Sequence, residues 1–265
     1  MNMTLFKKEI KSNWLLLAIF LGVLSLYGGM ITMMFDPELG DGLKAMAESM
    51  PQMFSAFGMT NVGTTFYEFV SSYLYGVLYV AFPGVFVIIL SNRLAAKYVD
   101  NGSMAWLLAA PVKRRSIMLT EALFLLVSLI IMVGFVTGLI LITGEILFPG
   151  EMDMAAFLRL NTGLLGLLVF FGGACFCASC FCNESKNASA AGTAVVVYSL
   201  LLQMLSRVGD KFENLKYATP LTLFDIDGLG AGDSEAWLMC GILYAVGIVL
   251  TGIGIARFSR RDLPL

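Results

Sequence analysis

Six stretches of this chain, at about 14–35, 66–90, 117–143, 157–182, 188–206 and 236–256, run for roughly twenty residues or more with almost no charge. That feature constrains the fold more than any other. A helix needs ~20 apolar residues to cross the hydrocarbon layer of a bilayer. Inside that layer each backbone N–H and C=O must find a partner within the protein, so only helices and closed barrels can span it. Runs this long and this uniformly apolar predict helices, giving an all-α integral membrane protein with six transmembrane helices in one domain spanning residues 1–265. The composition agrees: 58% of the residues are hydrophobic and 14% charged, with a mean hydropathy of +0.82. An ordinary soluble domain carries about 25% charge.

Charge gives the orientation. With both termini in the cytoplasm, twelve of the seventeen Lys and Arg residues fall inside, among them Lys7, Lys8, Lys11, Arg93, Lys113 and Arg260. Lys44, Arg159, Arg207, Lys211 and Lys216 stay outside. Fourteen of the nineteen acidic residues also lie outside. The bias follows the positive-inside rule for an even number of spans and rejects an odd one. The first apolar run is long and has no small-residue cleavage site, so it is expected to remain as an anchor.

Before the first span, Phe6, Ile10 and Trp14 recur at helical spacing opposite Lys7, Lys8 and Lys11. The pattern predicts an amphipathic interfacial helix over residues 4–13. The outer segment 36–65 repeats apolar residues at Leu43, Met46, Ala47 and Met50 and predicts a second interfacial or re-entrant helix. Another outer segment, 207–235, is polar and carries Pro220. Pro83–Gly84 predicts a bend in the second span.

Chemistry is sparse. The chain has no His, which removes the commonest general base and metal ligand. Cys175, Cys177, Cys180 and Cys182 fall on opposite faces of one helix, so a single ion cannot collect all four. They read as small residues for close helix packing, although Cys180 and Cys182 are also placed where acylation is feasible. Glu121, just inside the third span, is expected to reach a loop cation such as Arg114 or Arg115. Glu68, Glu145 and Gln203 read as boundary or structural residues. No Gly-x-x-x-x-Gly-Lys-Ser/Thr motif occurs, so the chain is expected to bind no ATP itself.

The most informative loop is 93–116, between the second and third spans. Asn101–Gly102 signals a turn, Ser103 is placed as an N-cap, and Met104–Ala110 reads as a two-turn helix stopped by Pro111. Trp106, Leu107 and Leu108 give it an apolar surface, and Lys113–Arg114–Arg115 follow. Physically this is either an interfacial loop anchored by Trp106 or a short helix built for another protein to grip.

Gly102–Ser103, Leu107–Leu108 and Pro111–Val112–Lys113–Arg114 resemble the corresponding loop of type-2 ATP-binding-cassette (ABC) transporter permeases. The tail Phe258–Ser259–Arg260–Arg261–Asp262 resembles that family's Phe-x-x-Arg-Asp ending, and Pro51 to Gly58 more loosely resembles its first outer loop. Two positions differ from the family pattern: Asp100 is the sole acidic residue just ahead of the glycine, and Glu121 stands where a lysine is common. The resemblance implies a non-catalytic permease subunit in the cell inner or plasma membrane. It implies a short cytoplasmic coupling helix between spans 2 and 3, with Asp100, Gly102, Ser103, Trp106, Leu107, Leu108, Pro111 and Arg114 as ATPase-coupling residues. The implied partners are an ABC ATPase subunit carrying ATP and Mg, a second permease subunit (identical or a paralogue) and the lipid bilayer, with no nucleic acid. The family's export role makes an antimicrobial peptide, a drug or a lipid-like molecule the expected class of cargo. A membrane scaffold or sensor with no transport path is the rival reading.

Overall fold

A computed structural model describes residues 2–36, 49–50, 53, 65–104, 112–207 and 210–261. Six helical segments among them are long and apolar enough to cross a membrane. The first is α1 (Met3–Met34). The second, Phe66–Asp100, is assembled from α2 (Phe66–Val70), α3 (Leu78–Leu94) and α4 (Ala96–Asp100). Next come α5 (Arg114–Leu147), α6 (Met154–Phe181) and α7 (Ser185–Ser206). A short helix, α8 (Ile226–Ala231), leads into the sixth span, α9 (Ser234–Arg260).

α6 is the most buried span and forms the axis of the bundle; α3, α5, α7, α8 and α9 all pack on it. In lipid there is no hydrophobic drive between helices, so close backbone approach has to supply the packing energy. Glycine provides it where α6 crosses α9. A Cβ on Gly173 would lie 2.2 Å from the Gly247 carbonyl oxygen, and one on Gly247 would lie 2.6 Å from that of Val169. The cysteines extend this packing, as their spacing suggests. Cys175 lies against Gly192 of α7, while Cys177 and Cys180 lie against Gly254 of α9.

Several buried polar groups are satisfied within the bundle. Tyr75 donates to Asn161 Oδ1 at 3.0 Å, Asn161 Nδ2 donates to the Phe157 carbonyl at 2.9 Å, and Tyr79 donates to the Leu24 carbonyl at 3.2 Å. Buried hydroxyls such as Ser128 and Thr137 bond back to carbonyls four residues earlier in α5. At the end of the bundle away from the termini, Phe35, Phe66, Phe148 and Phe157 interlock, with neighbouring rings 5.1 to 5.9 Å apart. Thr65 and Glu68 cap α2 reciprocally there, a boundary role for that glutamate.

Three local features differ from what the sequence alone suggests. Residues 4–13 form the first turns of α1 itself, with no break before the span, and their buried residues are Leu5, Glu9 and Asn13. Ile10 and Trp14 remain exposed, at 48% and 60%. In the second span α-geometry is lost at Ser71–Tyr75, a π-helical turn, and at Val77, not at Pro83–Gly84. Pro83 sits inside α3 and removes only one bond, because it lacks an N–H for the Tyr79 carbonyl. The third span is also longer than the apolar run: α5 continues one turn further at its basic start and four residues beyond Thr143. The interfacial helix expected around Leu43–Met50 lies almost wholly outside the described residues.

Candidate functional site

The loop between α4 and α5 opens at the end of the bundle that carries both termini, since Asn2 and Arg261 both reach α5 there. The Asn2 N–H donates to Thr120 Oγ1 at 3.0 Å, and Arg114 donates to the Arg261 carbonyl at 3.0 Å. α4 ends at Asp100. Asn101 follows, and Gly102 turns the chain with a left-handed φ of +71°. Helical conformation resumes at Ser103, whose N–H is met by Asn101 Oδ1 at 3.2 Å. Asn101 thus closes the turn in the i to i+2 manner of an Asx turn, and the N–H groups that Ser103 is expected to cap belong to residues outside the described ones. With Gly102 in the left-handed region, the Asn101 side chain folds over the Ser103 N–H. Met104 is buried at 1% exposure and pins the start of the loop to the core. Trp106, Leu107, Leu108 and Pro111 lie outside the described residues.

Around this loop the structure assembles a polar cluster that the sequence did not signal. Glu9 of α1 is buried at 2% exposure. Its Oε1 accepts a hydrogen bond from the Tyr98 hydroxyl of α4, and its Oε2 accepts one from Asn13 Nδ2 at 3.0 Å. Lys8 Nζ donates to the Tyr98 hydroxyl at 2.9 Å, and Arg93 donates to Asn13 Oδ1 at 3.4 Å. The first helix is thus fastened to the segment that leads into the loop. The available signal was Glu9 among three lysines, on the face that also carries Leu5 and Asn13.

Glu121 does not pair with Arg114 or Arg115. It is fully buried, neither of its oxygens has a hydrogen-bond partner among the described residues, and its charged neighbours are Glu9 and Lys8. The helical phase explains this. Residue 121 shares the inward face of α5 with Ile117 and Phe124, whereas Arg115 lies on the exposed face.

Arg114 instead belongs to a clasp at the loop's exit. Arg261, which follows α9, donates to the Cys180 carbonyl at 2.6 Å, to the Cys182 carbonyl at 3.1 Å and to Asn183 Oδ1. It thereby satisfies free carbonyls at the C-terminus of α6. Phe258, at 1% exposure, anchors the same turn. The tail and the loop exit are thus joined by a direct hydrogen bond. Asn92 of α3 adds a tie to α7, donating to Ser185 and Ser189 at 2.8 and 2.6 Å.

At the opposite end a polar hollow of about 370 Å³ opens beside Gln203, Arg207, Thr222, Asp225 and Asp227. Burial lowers the Arg207 guanidinium from its ordinary range, and Asp227 opposes that shift.

The chain belongs to the ABC-2 family of transporter proteins, whose family model matches residues 4–263. It is thus a permease subunit of an ABC transporter. No curated protein matches it.

Proposed function

We propose that the chain is the membrane subunit of an ATP-driven exporter, with both termini in the cytoplasm. Two such subunits, identical or paralogous, form the path, and separate ATPase subunits bind the loop 93–116. The observation that carries this reading is the wiring of the loop's two ends. Its entrance is fastened to α1 through Tyr98 and Glu9, and its exit to α6 and α9 through Arg114 and Arg261. A displacement of the coupling helix Ser103 to Ala110 would reach spans 1, 3, 4 and 6 at once. ATP and Mg would reside on the partner, and this chain would form no covalent bond with cargo.

An amphipathic cargo, such as an antimicrobial peptide, a drug or a lipid-like molecule, fits the short outer segments and the polar hollow at Arg207 and Asp227. The test is co-purification in mild detergent with the ATPase encoded beside it, using wild type and a Leu107→Asp, Leu108→Asp double variant. Capture by wild type and loss in the variant is the expected result. If wild type never retains an ATPase, the coupling reading falls and a scaffold or sensor role replaces it.

A further inference from the structure

The flank of the bundle formed by α5, α6 and α9 carries an apolar slot of about 490 Å³. Leu125 and Leu129 form one wall, Val169 and Gly172 the floor, and Ile248 and Thr251 the other wall. The slot is apolar, because its one hydroxyl, on Thr251, bonds back to the Gly247 carbonyl at 2.9 Å. Gly252 keeps it open: a Cβ there would meet nothing within 4 Å.

Toward the end that carries the termini, the slot runs into a second hollow of about 370 Å³, which shares Leu119, Gly252 and Ile255 with it. That hollow ends on Arg115 and Arg260. Both arginines are exposed, and neither has a hydrogen-bond or ion-pair partner among the described residues. The dimensions match one leaflet. From Leu119 to Leu129 the slot follows ten residues of α5, about 15 Å of helix, and half of a ~30 Å hydrocarbon layer is the same length.

We infer that this groove is a binding site for one anionic phospholipid, with an acyl chain in the slot and the phosphate between Arg115 and Arg260. Charge selects the occupant. A second apolar helix would leave two cations unmatched at the mouth, and a zwitterionic lipid brings a cation of its own beside its phosphate, whereas an anionic lipid pairs its phosphate with guanidinium and adds no opposing charge. The apolar walls offer no donor to a polar cargo. The orientation proposed above decides only which leaflet supplies the lipid, and the site does not depend on an ATPase.

The test is native mass spectrometry of the purified subunit in mild detergent, titrated with phosphatidylglycerol or phosphatidylcholine. Wild type is expected to bind one phosphatidylglycerol roughly tenfold or more tightly than phosphatidylcholine, the preference expected of two surface arginines. Gly252→Leu, whose side chain enters open space, is expected to abolish binding of both lipids. Arg115→Gln with Arg260→Gln is expected to keep phosphatidylcholine-level binding and erase the preference. Thermal unfolding without added lipid confirms that each variant folds, and the surface double variant carries the test if Gly252→Leu does not. Equal affinity for the two lipids in wild type, or unchanged binding in Gly252→Leu, overturns the inference. So does conversion of a wild-type dimer to monomer by Gly252→Leu, which would make a second copy the occupant. Failure of ATPase co-purification leaves the lipid result unaffected, so the two claims fail separately.

Discussion

Gly102 holds the turn that launches the proposed coupling segment, and its φ of +71° is a conformation that strains any residue with a Cβ. Alanine there costs roughly 1–2 kcal/mol, concentrated at the loop because nothing lies within 4 Å of the new methyl. Gly102→Ala is therefore expected to leave the thermal unfolding of the bundle nearly unchanged while lowering transported cargo per ATP hydrolysed in the reconstituted complex. Normal coupling in a folded Gly102→Ala protein would remove the turn from the mechanism. Arg114 and Arg261 show the limit of reading single residues from sequence. Both stand in segments that resemble the family, yet their contact spans 147 positions, and only the fold reveals that one donates to the other's carbonyl. Glu121 shows the same limit in the opposite sense: proximity along the chain points to Arg114, and helical phase turns the carboxyl inward to Glu9 and Lys8.

At the scale of helices, the crossing of α6 and α9 sets how closely the spans can pack. Backbone atoms, not flexible side-chain ends, surround the position a Cβ on Gly247 would take: Val169 O at 2.6 Å and Phe170 N at 2.8 Å. Gly247→Ala must push two helices apart, an overpacking cost of about 1–3 kcal/mol. Gly241→Ala, on the same helix but with open space around it, gains helix propensity and is expected to be neutral or stabilising by up to about 1 kcal/mol. Thermal unfolding in detergent separates the two, and equal transition temperatures would contradict the close crossing. The existence and order of the spans were legible because hydrophobic length is a one-dimensional signal. Their irregularities were not. The π turn at Ser71–Tyr75 lies among residues whose side chains are spoken for elsewhere, with Tyr75 bonded to Asn161 in α6, and a partner on another helix leaves no mark on local sequence.

For the molecule as a whole, the structure brings the two termini and both ends of the 93–116 loop to one end, and the charge along the chain is what supports the proposed cytoplasmic placement of that end. Twelve of the seventeen basic residues gather on the terminal side, and each juxtamembrane cation resists transfer across the bilayer. Many are also committed in the fold: Lys8, Arg93, Arg114 and Arg261 all hold hydrogen bonds there. Inverting the protein would therefore require carrying both the charge and the clasp across the membrane. In the proposed orientation Gly150, at the turn between α5 and α6, is an outer position, and Asn187, near the start of α7, an inner one. Cysteine introduced at each position, with the five native thiols lying within α6 and α9 or at the end of α6, can be probed with a membrane-impermeant maleimide. Gly150→Cys is expected to label on intact cells and Asn187→Cys only after permeabilisation. The reverse pattern would place the loop 93–116 outside, out of reach of any ATP-hydrolysing partner, and the exporter reading would fall with the orientation that supports it.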